Sequence, residues 1–106
     1  MLTRAFRMNV YPGQESEYLK RHDEIWPRLL KVLQRAGIAD YKIFLDEVNC
    51  ALFAVMTYEQ QHLLDNLAVE PVMQEWWQYM REIMPSHADG SPIAVDLQPI
   101  FKLPQA

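Results

Sequence analysis

DYKIFLDEVNCALFAVMTY (residues 40–58) is the stretch whose reading decides the fold. In residues 40–47, Tyr41, Ile43 and Leu45 fall on one face and Lys42 and Phe44 on the other. That period of two is a strand with two distinct faces. Residues 50–58 read as a second strand, and only Glu47-Val48-Asn49 separates the two runs. So short a connection requires a hairpin, and hence antiparallel pairing.

Outward from this hairpin the pattern changes period. Residues 14–36 place Tyr18, His22, Ile25, Trp26, Leu29 and Leu33 on one helical face. Pro27 lies inside that pattern and predicts a kink or break near Asp23–Trp26. Gly37 ends the helix at a left-handed position. On the other side of the hairpin, residues 60–69 read as a short helix with Leu63, Leu64, Leu67 and Ala68 inward. Residues 71–84 read as a longer helix, with Pro71 in its first turn and Pro85 as its stop. Its broad inner face carries Met73, Trp76, Trp77, Met80, Ile83 and Met84. Residues 86–92 form a polar loop.

At the ends, residues 2–10 alternate as a half-buried strand, with Leu2, Phe6, Met8 and Val10 on one face and Arg4 interrupting it. Residues 93–103 read as a last strand, which Pro99 limits to an edge or a bulge. The order βαββαβ is the α+β ferredoxin-like arrangement. It covers one sheet face with helices and leaves the other bare. A second copy of the chain is the simplest cover, so a homodimer with facing sheets is expected.

The 106 residues make one domain, 1–106, in which half the residues are apolar. A net charge of −4 and ten scattered Lys and Arg residues argue against a nucleic-acid partner. Cys50 is alone, so no internal disulfide forms. The start, Met1-Leu2-Thr3-Arg4-Ala5-Phe6, lacks the apolar core of a signal peptide, and no run is long enough to span a membrane. A cytoplasmic protein is the expectation.

Chemistry points to His22. Tyr18 and His22 are four apart on the inner helical face, so their side chains lie together. A histidine among aromatics can exchange a proton near neutral pH. The same pair also suits a packed core, with the imidazole satisfied by a backbone carbonyl. Trp76 and Trp77 are about 100° apart around their helix, so only one of them sits at the centre of the buried stripe. Their flat faces suit the C–H face of a sugar, or equally a core plug or an interface. Tyr41, at the start of the second strand, brings a hydroxyl that needs a partner if buried. His62 and His87 have no spacing relation to His22, so no metal site is expected. There is no phosphate loop, Cys-x-x-Cys, nucleophile elbow or His-Glu-x-x-His.

Three segments carry a family likeness: YLKRHDEIWP (18–27), DYKIFLD (40–46) and EWWQYMREIMP (75–85). Together they closely resemble the bacterial L-rhamnose mutarotases over nearly the whole chain. The resemblance implies a dimeric α+β barrel that interconverts the α and β anomers of L-rhamnose without cofactor or metal. It implies that His22 is the proton donor, acting as imidazolium on the ring oxygen. It also implies that Tyr18, Tyr41, Trp76 and Trp77 bind a small neutral sugar. Two other readings fit the residues alone: a ferredoxin-like monooxygenase or haem-degrading enzyme, and a dimeric binding module in which the aromatics form only an interface.

Overall fold

The computed structural model describes residues 1–105. In chain order the elements are β1 (Leu2–Asn9), α1 (Glu15–Asp23), α2 (Pro27–Arg35), β2 (Ile38–Asp46), β3 (Ala51–Tyr58), α3 (Gln61–Asp65), α4 (Pro71–Met80) and β4 (Val95–Leu97). A 3-10 turn, Asn66–Val69, follows α3. The sheet order is β2-β3-β1-β4 with every neighbour antiparallel, which is the ferredoxin-like topology expected.

Local chemistry explains most boundaries. Trp26 precedes proline and is driven out of the helical region, to φ −65° and ψ 131°. The long helical pattern therefore splits into α1 and α2, with Pro27 opening α2. Gly37 ends α2 at φ +83°, a left-handed conformation that costs glycine no Cβ clash. Its carbonyl then accepts from the Glu59 N–H at 3.1 Å, which ties the start of β2 to the end of β3. The β2–β3 turn is organised by Asp46, whose carboxylate accepts from the Val48 and Asn49 backbones and the Asn49 amide. Cys50 takes φ +50° and belongs to this turn, so β3 starts one residue later than the sequence suggests.

Three expectations need correcting. The last strand is not residues 93–103 but only Val95–Leu97, paired to Arg7–Ala5 of β1. Pro92 and Pro99 lack the N–H that a longer ladder needs, and Ile100, Phe101 and Leu103 beyond it are exposed. The α4 helix stops at Met80, not at 84, because the Ile83 N–H turns back to the Met80 carbonyl. The Ile83 carbonyl is then free to accept from the Tyr11 N–H at 2.9 Å. Finally, Ala68 is exposed, because the second half of segment 60–69 tightens into the 3-10 turn.

The core lies between the helices and one sheet face. Phe6, Met8, Leu52, Ala54 and Met56 from the strands meet Leu29, Val32, Met73, Trp76 and Met80 from the helices. The opposite sheet face is uncovered. Cross-strand rows there read Phe44–Phe53–Arg7–Val95 and Lys42–Val55–Ala5–Leu97. Phe44 is 58% exposed and Val95 48%, a density of apolar surface unusual for a solvated face.

Candidate functional site

The α1 helix and the strand β2 form opposite walls of a cavity of about 750 Å³, within the range typical of small-molecule sites. Tyr18, His22, Tyr41 and Trp76 line it together. Trp77 does not; it is half-buried at the edge of the core, beside Gly90. The two adjacent tryptophans thus diverge as the helical geometry requires.

His22 sits at the centre of the aromatic wall. Its ring stacks on Tyr18 at 4.4 Å between centroids and stands nearly perpendicular to the Trp76 ring at 5.4 Å. Trp76, only 6% exposed, also meets Trp26 at 5.1 Å and Tyr79 at 5.8 Å. The His22 Nδ1 lies 3.0 Å from the Tyr18 carbonyl oxygen. A carbonyl only accepts, so Nδ1 carries the hydrogen and Nε2 is left free. The backbone carbonyl considered in the core-packing reading is therefore real. It does not use up the imidazole; it fixes which nitrogen can react.

Burial pulls the His22 pKa below its ordinary value, against the smaller opposing effects of the Tyr18 carbonyl and Asp23. Neutral imidazole is thus favoured at neutral pH, so the imidazolium expected to act on the ring oxygen has to form during the reaction. Burial raises the Tyr18 hydroxyl pKa strongly, and the nearby Tyr41 adds to the shift. Tyr41 is pushed up to about 12 by burial, with Arg4 opposing. Tyr41 as a residue is 37% exposed, so the desolvated part is its hydroxyl end. Both phenols stay protonated and serve as neutral donors and acceptors.

The charge around the cavity is one-sided. Glu15, Asp40 and Glu47 line it, and among the described residues no Lys or Arg does. Hydrogen bonds from its own backbone N–H, the Cys50 thiol and the Gly13 N–H hold the Glu15 carboxyl below the usual range. Such a site suits a neutral polyol and disfavours phosphates and carboxylates. Among the described residues, no group of three or more His, Cys, Asp or Glu side chains is arranged to hold a metal ion.

Two residues of the aromatic cluster behind the cavity were not singled out from sequence. Tyr79 was missed, although its spacing of three from Trp76 places it on the same flank of α4. Trp26 was read only as part of an apolar stripe; it stacks on Tyr79 at 5.6 Å and completes the cluster.

Residues 3–103 match the family model described as L-rhamnose mutarotase. A protein of Brucella anthropi named L-rhamnose mutarotase is 49% identical over 100 residues, 94% of each chain. The crystal structure of an L-rhamnose mutarotase from Formosa agariphila superposes with a TM-score of 0.90 at 33% identity, covering 98% of this chain and 100% of that one. A monooxygenase from Streptomyces coelicolor, with a TM-score of 0.65 over 98% of this chain and 91% of that one, is only 13% identical and shares the fold alone.

Proposed function

Since the chain belongs to the L-rhamnose mutarotase family, we propose that it interconverts the α and β anomers of L-rhamnose, with His22 as the acid–base group. The observation that carries this reading is the His22 ring itself: Nδ1 tied to the Tyr18 carbonyl, Nε2 free at the wall of a cavity without cations.

Ring opening moves one proton from the anomeric hydroxyl, O1, to the ring oxygen, O5, while the C1–O5 bond breaks and a C1=O1 carbonyl forms. Both oxygens are bonded to C1, so one group can reach both. Neutral His22 accepts the O1 proton at Nε2 and, as imidazolium, returns it to O5. Rotation about C1–C2 then presents the other carbonyl face. Reclosure runs the same transfers backward and leaves His22 neutral. No net proton or electron is exchanged, so the cycle calls for no cofactor.

The remaining residues orient the sugar. Tyr18 and Tyr41 hydrogen-bond its hydroxyls, and Trp76 offers a flat apolar face to its C–H bonds and methyl group. Trp77 acts from outside the cavity, through α4 or through a neighbouring copy. The bare sheet face with Phe44, Val55, Val95 and Leu97 exposed supports a homodimer packed through that face, closing the dimeric α+β barrel. No helix among the described residues is long and apolar enough to cross a membrane, and the proposed place of action is the cytoplasm.

Saturation-transfer proton NMR on L-rhamnose tests the activity. Irradiating one anomeric proton should diminish the other when the protein is added. Transfer on another deoxysugar but not on L-rhamnose would keep the chemistry and overturn the substrate. No transfer on any sugar would overturn the reading.

A further inference from the structure

Arg21 immediately precedes His22 on α1 and packs into the junction with α4, its side chain only 10% exposed. All three guanidinium nitrogens are engaged. Nε donates to Glu17 at 2.7 Å, Nη1 to the Tyr79 carbonyl at 2.6 Å and Nη2 to Glu82 at 3.0 Å. The guanidinium carbon also stands 3.8 Å from the centroid of the Tyr79 ring. An exposed ion pair contributes little. This arrangement differs because the planar fork is largely shielded, stacked on an aromatic face and bonded to a main-chain carbonyl in the last turn of α4. Helix-end carbonyls lack an internal partner, and Arg21 supplies one.

The contacts run in a closed loop. From Arg21 they pass to the Tyr79 ring, from Tyr79 to Trp76 at 5.8 Å, and from Trp76 to His22 at 5.4 Å. His22 is the next residue along α1 from Arg21. The position of α4 against α1 is therefore fixed at two points, Arg21 on Tyr79 and His22 on Trp76.

We propose that Arg21 is a positioning residue for the reaction: its grip on the last turn of α4 holds Trp76 against His22 and keeps the imidazole seated in the cavity wall. The proposal rests on His22 being the acid–base group. Titratable groups near His22 are Tyr18 and Asp23 on α1 and, from β2 across the cavity, Tyr41 and Asp40. Glu15 and Glu47 line the same cavity. From α4 the packed group is Trp76, and Glu75 pairs with Arg28 of α2.

The test is an NMR titration of the His22 ring in the full chain, without sugar, alongside kcat and KM for anomer exchange. Arg21→Lys keeps the charge but loses the fork and the stacking. Its His22 midpoint should rise toward the ordinary value by about half a pH unit or more. Its kcat should fall about tenfold, with KM within about twofold. A midpoint and kcat equal to wild type, with only a lower melting temperature, would overturn the proposal. So would a shift in Arg21→Gln that Arg21→Lys lacks, since that reports lost charge rather than lost seating. Should the Arg21 variants not fold, Tyr79→Leu removes the stacked ring and should raise the midpoint in the same direction; an unchanged midpoint there also overturns the proposal. The titration needs no turnover. A shifted midpoint in a protein that exchanges no sugar would overturn the proposed function and keep the positioning of His22.

Discussion

Replacing Trp76 tests the claim that one side chain serves both the core and the cavity. Trp76 is 6% exposed and meets three rings, those of His22, Trp26 and Tyr79, at 5.4, 5.1 and 5.8 Å. Truncating a buried tryptophan to alanine costs about 3–5 kcal/mol. Phenylalanine retains one ring and part of each edge contact, each such pair contributing about 0.5–1.5 kcal/mol beyond burial. Trp76→Phe should therefore cost about 1–2 kcal/mol. A domain of this size loses roughly 4–8 °C of Tm per kcal/mol. Thermal melts followed by circular dichroism should show Tm lower by about 4–16 °C in Trp76→Phe and further in Trp76→Ala. Because the same ring walls the cavity, KM for L-rhamnose should also rise. Trp77→Phe, altering a half-buried residue outside the cavity, should raise KM less. A Trp76→Ala protein with Tm within about 2 °C of wild type, or an unchanged KM, would refute the dual role.

Three further outcomes follow from the geometry. The folded His22 pKa lies below the unfolded value of about 6.5, so between the two the unfolded chain binds more protons. Stability should be full above about pH 6.5 and fall as pH drops through that window; Tm against pH checks this, and His22→Gln should flatten the slope. The exchange rate should also rise with pH through the lowered pKa and then level off, since neutral imidazole is the working base; a rate that falls across that range would contradict it. Gly37→Ala forces a side chain into φ +83° and should cost about 1–2 kcal/mol, read by urea titration, with the pH profile of activity unchanged.

How far the sequence could be read depended on whether the signal was local. The Pro27 break, the Gly37 stop and the β2–β3 hairpin are set by residues within a few positions; the first two stand where the pattern places them, and the hairpin differs only at its strand ends. The i, i+4 spacing of Tyr18 and His22 likewise forecast their stacking. The last strand was overread because its alternating apolar residues satisfy a strand pattern, while pairing requires a partner edge and free N–H groups. Pro92 and Pro99 restrict it to three residues. The protonation state of His22 was also beyond reach. It depends on burial in the folded chain, where residues distant in sequence such as Trp76 pack against the ring. Arg21 is only one of the scattered cations in the sequence, since nothing local reveals that its guanidinium reaches a carbonyl at the end of α4. Which tryptophan faces the cavity follows only from the rotation of α4 on the sheet, and the pair alone leaves that open.

The central claim is that His22 carries the proton. Its most direct test is the saturation-transfer rate for L-rhamnose in His22→Gln against wild type, at equal folded concentration. Positioned acid–base groups contribute about 10²–10⁴-fold, equivalent to about 3–5 kcal/mol of barrier. The account predicts a loss of at least about a hundredfold in a variant whose circular dichroism spectrum matches wild type. A folded His22→Gln protein that exchanges anomers at the wild-type rate would contradict it.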